Sequence, residues 1–119
     1  MHKYKQLLVR QKARELTKDV CQISKSFPKD ETFNLTSQIR RASTSVMLNI
    51  SEGAGRFSDA DFARFLTMAS GSTHEVECAA IVAFDQEYIA ESTLQLIEDK
   101  VSEVSKMLFK LHQSLTQKS

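Results

Sequence analysis

The chain has 119 residues and a mass of 13.5 kDa, with 41% apolar residues, 26% charged residues and a formal net charge of +1. These values exclude a disordered chain, because this much apolar side chain can be buried to offset the ordering entropy, and they exclude a strongly polycationic or polyanionic monomer. No apolar run reaches the length of a membrane span, and three Gly with one Pro argue for long helices over a turn-rich β protein.

The length fits a single domain, residues 1–119. The first ten residues hold no apolar core long enough for a signal peptide, so a cytoplasmic location is expected. Cys21 and Cys78 lack any CxxC spacing and read as two reduced, half-buried thiols. Charge is uneven along the chain. Residues 1–60 hold 11 Lys/Arg against 6 Asp/Glu, and residues 61–119 hold 5 against 9. A basic face and an acidic face follow only if the fold keeps the halves apart.

The first predicted helix covers about residues 4–27. Val9, Ala13, Leu16, Val20, Ile23 and Phe27 are spaced 4, 3, 4, 3 and 4 and form one stripe. Lys5, Arg10, Lys12, Arg14, Lys18 and Lys25 are spread around the rest, which describes a solvated bundle helix and not a membrane anchor. Pro28 ends it. Residues 29–34 form a connector with room for one irregular turn.

The second helix is predicted over 36–52, capped by Asn34 or Thr36, with Ile39, Ala42, Val46 and Ile50 as its apolar stripe and Leu35 just before it. Gly53-Ala54-Gly55 is expected to end it through a left-handed cap. The third covers 58–84. Ser58 caps it, acidic residues fill its first turn, and Phe62, Phe65, Leu66, Ala69, Thr73, Val76, Ala80 and Ala83 line one face. The fourth covers 92–115, with Leu94, Ile97, Val101, Val104, Leu108, Leu111 and Leu115 in strict heptad register. Four amphipathic helices with short connectors predict an all-α, up-down-up-down antiparallel four-helix bundle.

Two helices carry more than one core stripe. On the third, Gly71, Cys78 and Val82, with Glu75 among them, lie roughly opposite the main apolar face. They are either scattered surface residues, which are common, or a second contact face against another subunit. On the second, Gln38, Arg41, Ser45, Asn49, Glu52 and then Arg56 follow spacings of 3, 4, 4, 3 and 4. Such residues are mediocre helix formers, so a weak surface helix is one reading. A partly buried polar seam is the one we favour, with Asn49 and Glu52 bonding backbone or Arg groups.

Gln38-Ile39-Arg40-Arg41, Asn49-Ile50-Ser51-Glu52-Gly53-Ala54-Gly55-Arg56 and Phe62-Ala63-Arg64-Phe65-Leu66-Thr67-Met68-Ala69-Ser70-Gly71-Ser72-Thr73-His74-Glu75-Val76-Glu77 together carry a resemblance. In order and spacing they resemble the bacterial four-helix-bundle proteins encoded within intervening sequences of 23S rRNA genes, over nearly the whole chain, with His74 at a variable position. The resemblance implies bundles assembled as ring-like homopentamers. It also implies kinship with accessory proteins of diversity-generating retroelements, which form barrels with basic surfaces, bind nucleic acid and contact a reverse transcriptase. On the matching positions it makes Arg40, Arg41 and Arg56 basic groups near the polar seam, Asn49, Glu52 and Gly53 structural, and Ser70, Gly71, Ser72 and Glu75 packing or interface positions; the three arginines, repeated around a ring, are the nucleic-acid-binding groups we expect.

Other chemistries fit poorly. Gly53-Ala54-Gly55 lacks the spacing and preceding strand of a phosphate loop. His74 and Cys78 are one turn apart, but a bundle di-metal centre needs Glu-x-x-His on two helices and none occurs. No catalytic triad or cysteine nucleophile with a base is identifiable. The expectation is a non-enzymatic protein with no cofactor and no metal. Its partners would be itself and RNA or another nucleic acid, with a polymerase-type protein as the alternative and no membrane.

Overall fold

The computed structural model describes residues 2–117. Four helices follow one another: α1 (His2–Ser24), α2 (Leu35–Ala54), α3 (Asp59–Asp85) and α4 (Glu91–Thr116), with a 3-10 turn at Lys29–Glu31. Helix α1 packs on α2, α2 on α3, α3 on α4, and α4 returns to α1, which leaves α1 and α3 on one diagonal and α2 and α4 on the other. The result is the predicted all-α, antiparallel four-helix bundle, 49 Å long and 25 × 18 Å in section. No helix among the described residues is long and apolar enough to cross a membrane.

The predicted stripes meet at the centre. Val9, Ala13, Leu16 and Val20 of α1 are fully buried, as are Ile39, Val46 and Ile50 of α2, Ala69, Val76 and Ala80 of α3, and Leu111 of α4. Each large side chain so buried contributes about 1.5–3 kcal/mol relative to exposure. The core divides in two. One cluster gathers Val9, Val46, Ile50, Phe62, Leu66, Leu108 and Leu111 at the end holding the α2–α3 turn. The other gathers Leu16, Val20, Ile39, Val76, Ile97 and Val101 near the opposite end.

A belt of hydroxyls separates the two clusters. Thr17 Oγ1 donates to the Ser43 carbonyl of α2 (3.1 Å), Ser72 Oγ of α3 donates to Ser45 Oγ of α2 (3.0 Å), and Thr73 Oγ1 meets Ser105 Oγ of α4 (3.3 Å). These bonds tie three of the four helix pairs at one height. Sliding any pair by a turn would break these interhelical bonds and leave Thr17, Ser72 and Thr73 only the carbonyls of their own helices (Ala13, Met68 and Ser70), so the belt favours this register. The fourth pair, α1–α4, is tied by ion pairs: Lys12–Glu103 at 3.5 Å and Lys100–Asp19 at 2.9 Å. Asp19 Oδ2 is shut off from solvent with Lys100 as its counter-charge, and that contact raises the Lys100 ammonium above its ordinary value.

Three helix ends differ from the sequence expectation. Helix α1 stops at Ser24, not at 27, because Lys25, Ser26 and Phe27 bond three residues back and tighten the chain into turns before Pro28. Phe27 is still buried, 5.8 Å from the Tyr88 ring. The glycine segment uses no left-handed conformation: Gly55 has φ −85°, and Gly53 lies buried inside α2. A Cβ on Gly53 would sit 2.8 Å from both Phe62 Cδ1 and Phe65 Cβ, so glycine is there for the close approach of α2 to α3. The only described residue in the left-handed region is Glu87 (φ 64°), in the α3–α4 turn. Tyr88 N–H bonds the Ala83 carbonyl and Glu87 N–H bonds that of Phe84, which makes a Schellman ending to α3 without glycine.

The third difference is the cap of α2. Neither Asn34 nor Thr36 bonds the helix start with its side chain. Glu31 does so from the 3-10 turn: its Oε1 accepts from Leu35 N–H (3.3 Å) and Asn34 Nδ2 (3.0 Å), and its Oε2 accepts from the Tyr88 hydroxyl (2.8 Å). The Tyr88 bond and then the Leu35 amide hold the Glu31 carboxyl below its ordinary value. A depressed carboxyl favours the ionised fold, so its contribution is present above the unfolded value and lost as pH falls through the folded one. Glu31→Gln is therefore expected to unfold at lower urea than the parent at pH 7, with the gap closing at acid pH once the carboxyl is protonated in the fold. A gap of equal size at neutral and acid pH would show that charge plays no part.

Candidate nucleic-acid interface

Five of the eight predicted seam residues, Gln38, Ser45, Glu75, Cys78 and Val82, line one groove of about 750 Å³ between α2 and α3, with Arg41, Ala42 and Ala79. Asn49 and Glu52 continue the α2 side of that face. Asn49 Nδ2 donates to the Ser45 carbonyl (3.0 Å) and Ser45 Oγ (3.1 Å), and Glu52 pairs with Arg56 at 2.9 Å. Gly71 completes the α3 side and is exposed, and a Cβ added there would meet no atom within 4 Å. Leu48 at 63% exposure, and Met68 and Val82 at 46% each, add apolar surface to the same face. Cys78 is exposed there as a free thiol, whereas Cys21 is partly covered.

The three predicted arginines do not form one patch. Arg40 turns toward α1, where its Nε donates to the buried Ser24 hydroxyl at 2.7 Å. Arg41 is exposed on the wall of the α2–α3 groove. Arg56 lies at the far end of α2, about 22 Å along the axis from Arg41. It is held by Glu52, and its guanidinium sits 4.7 Å over the Phe65 ring. Arg64 lies over that ring at the same distance and faces Asp61 at 3.5 Å. Arg56 and Arg64 are thus each matched by a carboxylate.

The larger unmatched positive surface is on α1. Lys3, Arg10, Arg14 and Lys18 are all exposed, and none forms an ion pair among the described residues. At about 100° per residue they fall within an arc of roughly 80° and span about 22 Å of helix. Lys12 turns instead to Glu15 and Glu103 in the α4 seam. The basic residues of α1 are therefore not evenly spread. The spacing of 7, 4 and 4 from Lys3 to Lys18 was the signal, obscured in sequence by Lys5 and Lys12 between them. Six Lys/Arg against two Asp/Glu make α1 the basic corner of the bundle. Five Asp/Glu against one Arg make α3 the acidic corner, diagonally across. Among the described residues, no group of three His, Cys, Asp or Glu gathers as a metal site. His74 Nδ1 is 2.8 Å from the Ser70 carbonyl.

Stripes, belt and connectivity place the molecule among antiparallel four-helix-bundle proteins. The sequence profile of the 23S rRNA-intervening sequence protein family matches residues 5–110, and the chain belongs to that family. The crystal structure of a protein of unknown function from the S23 ribosomal protein family of Bacteroides thetaiotaomicron VPI-5482 superposes with a TM-score of 0.84 at 26% identity, covering 92% of this chain and 98% of that one. No curated protein sequence matches the chain.

Proposed function

We propose that the protein is a non-enzymatic, cytoplasmic nucleic-acid-binding accessory protein that works as a homo-oligomer, a ring of five copies by its family resemblance. The unpaired, exposed row of Lys3, Arg10, Arg14 and Lys18 carries the reading. Arginine forks grip phosphate oxygens in pairs, and four uncompensated cations on one stripe concentrate charge that the net +1 of the whole chain conceals. Arg40 adjoins the row across the α1–α2 seam, and Arg41 adds charge at the outer edge of α2. Assembly is supported by the α2–α3 face, where Leu48, Met68 and Val82 are exposed around a small-residue groove. Repeating the α1 row in each subunit turns modest affinity into avidity. The family's association with 23S rRNA intervening sequences makes RNA the first ligand to try.

The test is RNA affinity as a function of salt. Each contacted single-strand phosphate contributes about −0.7 to the slope of log K against log salt. The combined variant Arg10→Ala, Arg14→Ala, Lys18→Ala is expected to bind about tenfold more weakly near 0.1 M salt and with a flatter slope. Affinity that ignores both salt and the variant would overturn the reading.

A second reading has its own support in the acidic corner formed by Asp59, Asp61, Glu75, Glu77 and Asp85 on α3. That charge suits a basic protein partner, such as a polymerase-type enzyme, better than a nucleic acid. Co-purification that survives nuclease and is lost on neutralising α3 would favour it.

A further inference from the structure

We infer that the α1 row takes a single-stranded polynucleotide in preference to a duplex, with Tyr4 as the platform on which a base stacks. The inference rests on the phosphate-binding reading above and deepens it.

The row is straight and lies on a convex corner. Helix α1 is flanked on both sides by α2 and α4, within a bundle 25 × 18 Å in section. The deep groove of A-form RNA is closed to side chains, so α1 cannot be inserted into an RNA duplex. Such a duplex can touch the corner only where its phosphate ridge passes by. The strands of a duplex wind away from a straight row, whereas a flexible single strand can follow it from Lys3 to Lys18.

An unused aromatic ring stands at one end of that row. Tyr4 is 71% exposed, lies beside Lys3 in the first turns of α1, and makes no hydrogen bond or ring contact among the described residues. The other tyrosine of the chain behaves differently, since Tyr88 is half-covered and bonded to Glu31. Leu7, at 52% exposure, lies on the row itself between Lys3 and Arg10. An exposed ring and an apolar side chain set among cations are what single-strand surfaces combine: charge for the backbone and a flat face for unpaired bases. A duplex keeps its bases stacked inside and offers Tyr4 nothing.

Fluorescence anisotropy with the full chain and labelled oligonucleotides, each about 20 nucleotides long to span the row with slack, separates the outcomes. The probes are one single-stranded RNA, the DNA strand of the same sequence, and the blunt RNA duplex. The single strands are expected to bind at least about fivefold tighter than the duplex, and within about threefold of each other, because phosphate and stacking contacts do not read the sugar. Tyr4→Ala is expected to weaken single-strand binding about fivefold or more and to leave duplex binding unchanged, with Tyr4→Phe retaining parental affinity. Position 4 is exposed on a helix, so circular dichroism of these variants should match the parent. Equal affinity for duplex and single strand, a Tyr4→Ala variant indistinguishable from the parent, or about a tenfold preference for one sugar would overturn this inference and leave the phosphate-binding reading standing. Failure of all three probes to bind would remove both.

Discussion

Replacing Gly53 by alanine is expected to lower the stability of the bundle by up to about 2 kcal/mol, although alanine is the better helix former. The helical preference favours alanine by about 1 kcal/mol. Against it stands a Cβ placed 2.8 Å from Phe65 Cβ, 2.8 Å from Phe62 Cδ1 and 3.3 Å from the Phe62 carbonyl oxygen. A ring edge can rotate away. Phe65 Cβ and the Phe62 carbonyl are fixed to the backbone of α3, so the two helices must part. Overpacking of that kind costs about 1–3 kcal/mol and outweighs the gain. The measurement is the urea midpoint with an unchanged slope, and a midpoint equal to or above the parent's would show that α2 and α3 do not approach this closely at Gly53. A disturbed contact here should also free Arg56 and Arg64 from the Phe65 ring, which both guanidiniums cover at 4.7 Å.

The role of Gly53 shows where sequence reading reaches its limit. Gly53-Ala54-Gly55 after an apolar stripe reads as a helix ending, and α2 does end there, at Ala54. The reason differs: Gly53 answers to Phe62 and Phe65, across a turn whose geometry local spacing does not contain. The four stripes were legible because helical periodicity is a local property, and their buried residues are the predicted ones nearly throughout. Ser58 as the cap of α3 was legible for the same reason, and its Oγ accepts from Asp61 N–H at 3.1 Å. Glu31 as the cap of α2 was not, because a carboxylate four residues before Leu35 reaches it only through the 3-10 turn and is steadied by Tyr88, 57 positions away. The hydroxyl belt was half legible. Ser45 stood out as unsuited to a solvated helix, but its partner Ser72 lies on another helix. The charge asymmetry between halves pointed to two faces. The fold sharpened it to two corners, since the excess sits on α1 and α3 and these are diagonal.

If copies assemble through the α2–α3 face as proposed, Gly71→Arg is expected to leave a 13.5 kDa monomer with its helicity intact. A local fault in α3 is the reason. A glycine in the interior of an exposed helix costs about 1 kcal/mol relative to alanine, and a methyl group at Gly71 would meet no atom within 4 Å. Nothing inside one copy accounts for glycine at that position, in contrast to Gly53. A second copy laid on the α2–α3 face does account for it, because helices approach closest where a side chain is missing. The same face exposes Leu48, Met68 and Val82, whose burial would help drive the association. Light scattering should therefore give the parent a mass several times that of one chain, with a melting temperature that rises with concentration. Arginine at position 71 places a charged side chain in the contact and should abolish both effects. Gly71→Ala separates the two contributions: its isolated subunit should be more stable by up to about 1 kcal/mol while its assembly weakens. A parent chain that stays at 13.5 kDa at high concentration, with a melting temperature independent of concentration, would remove the ring and with it the repetition of the α1 row from subunit to subunit.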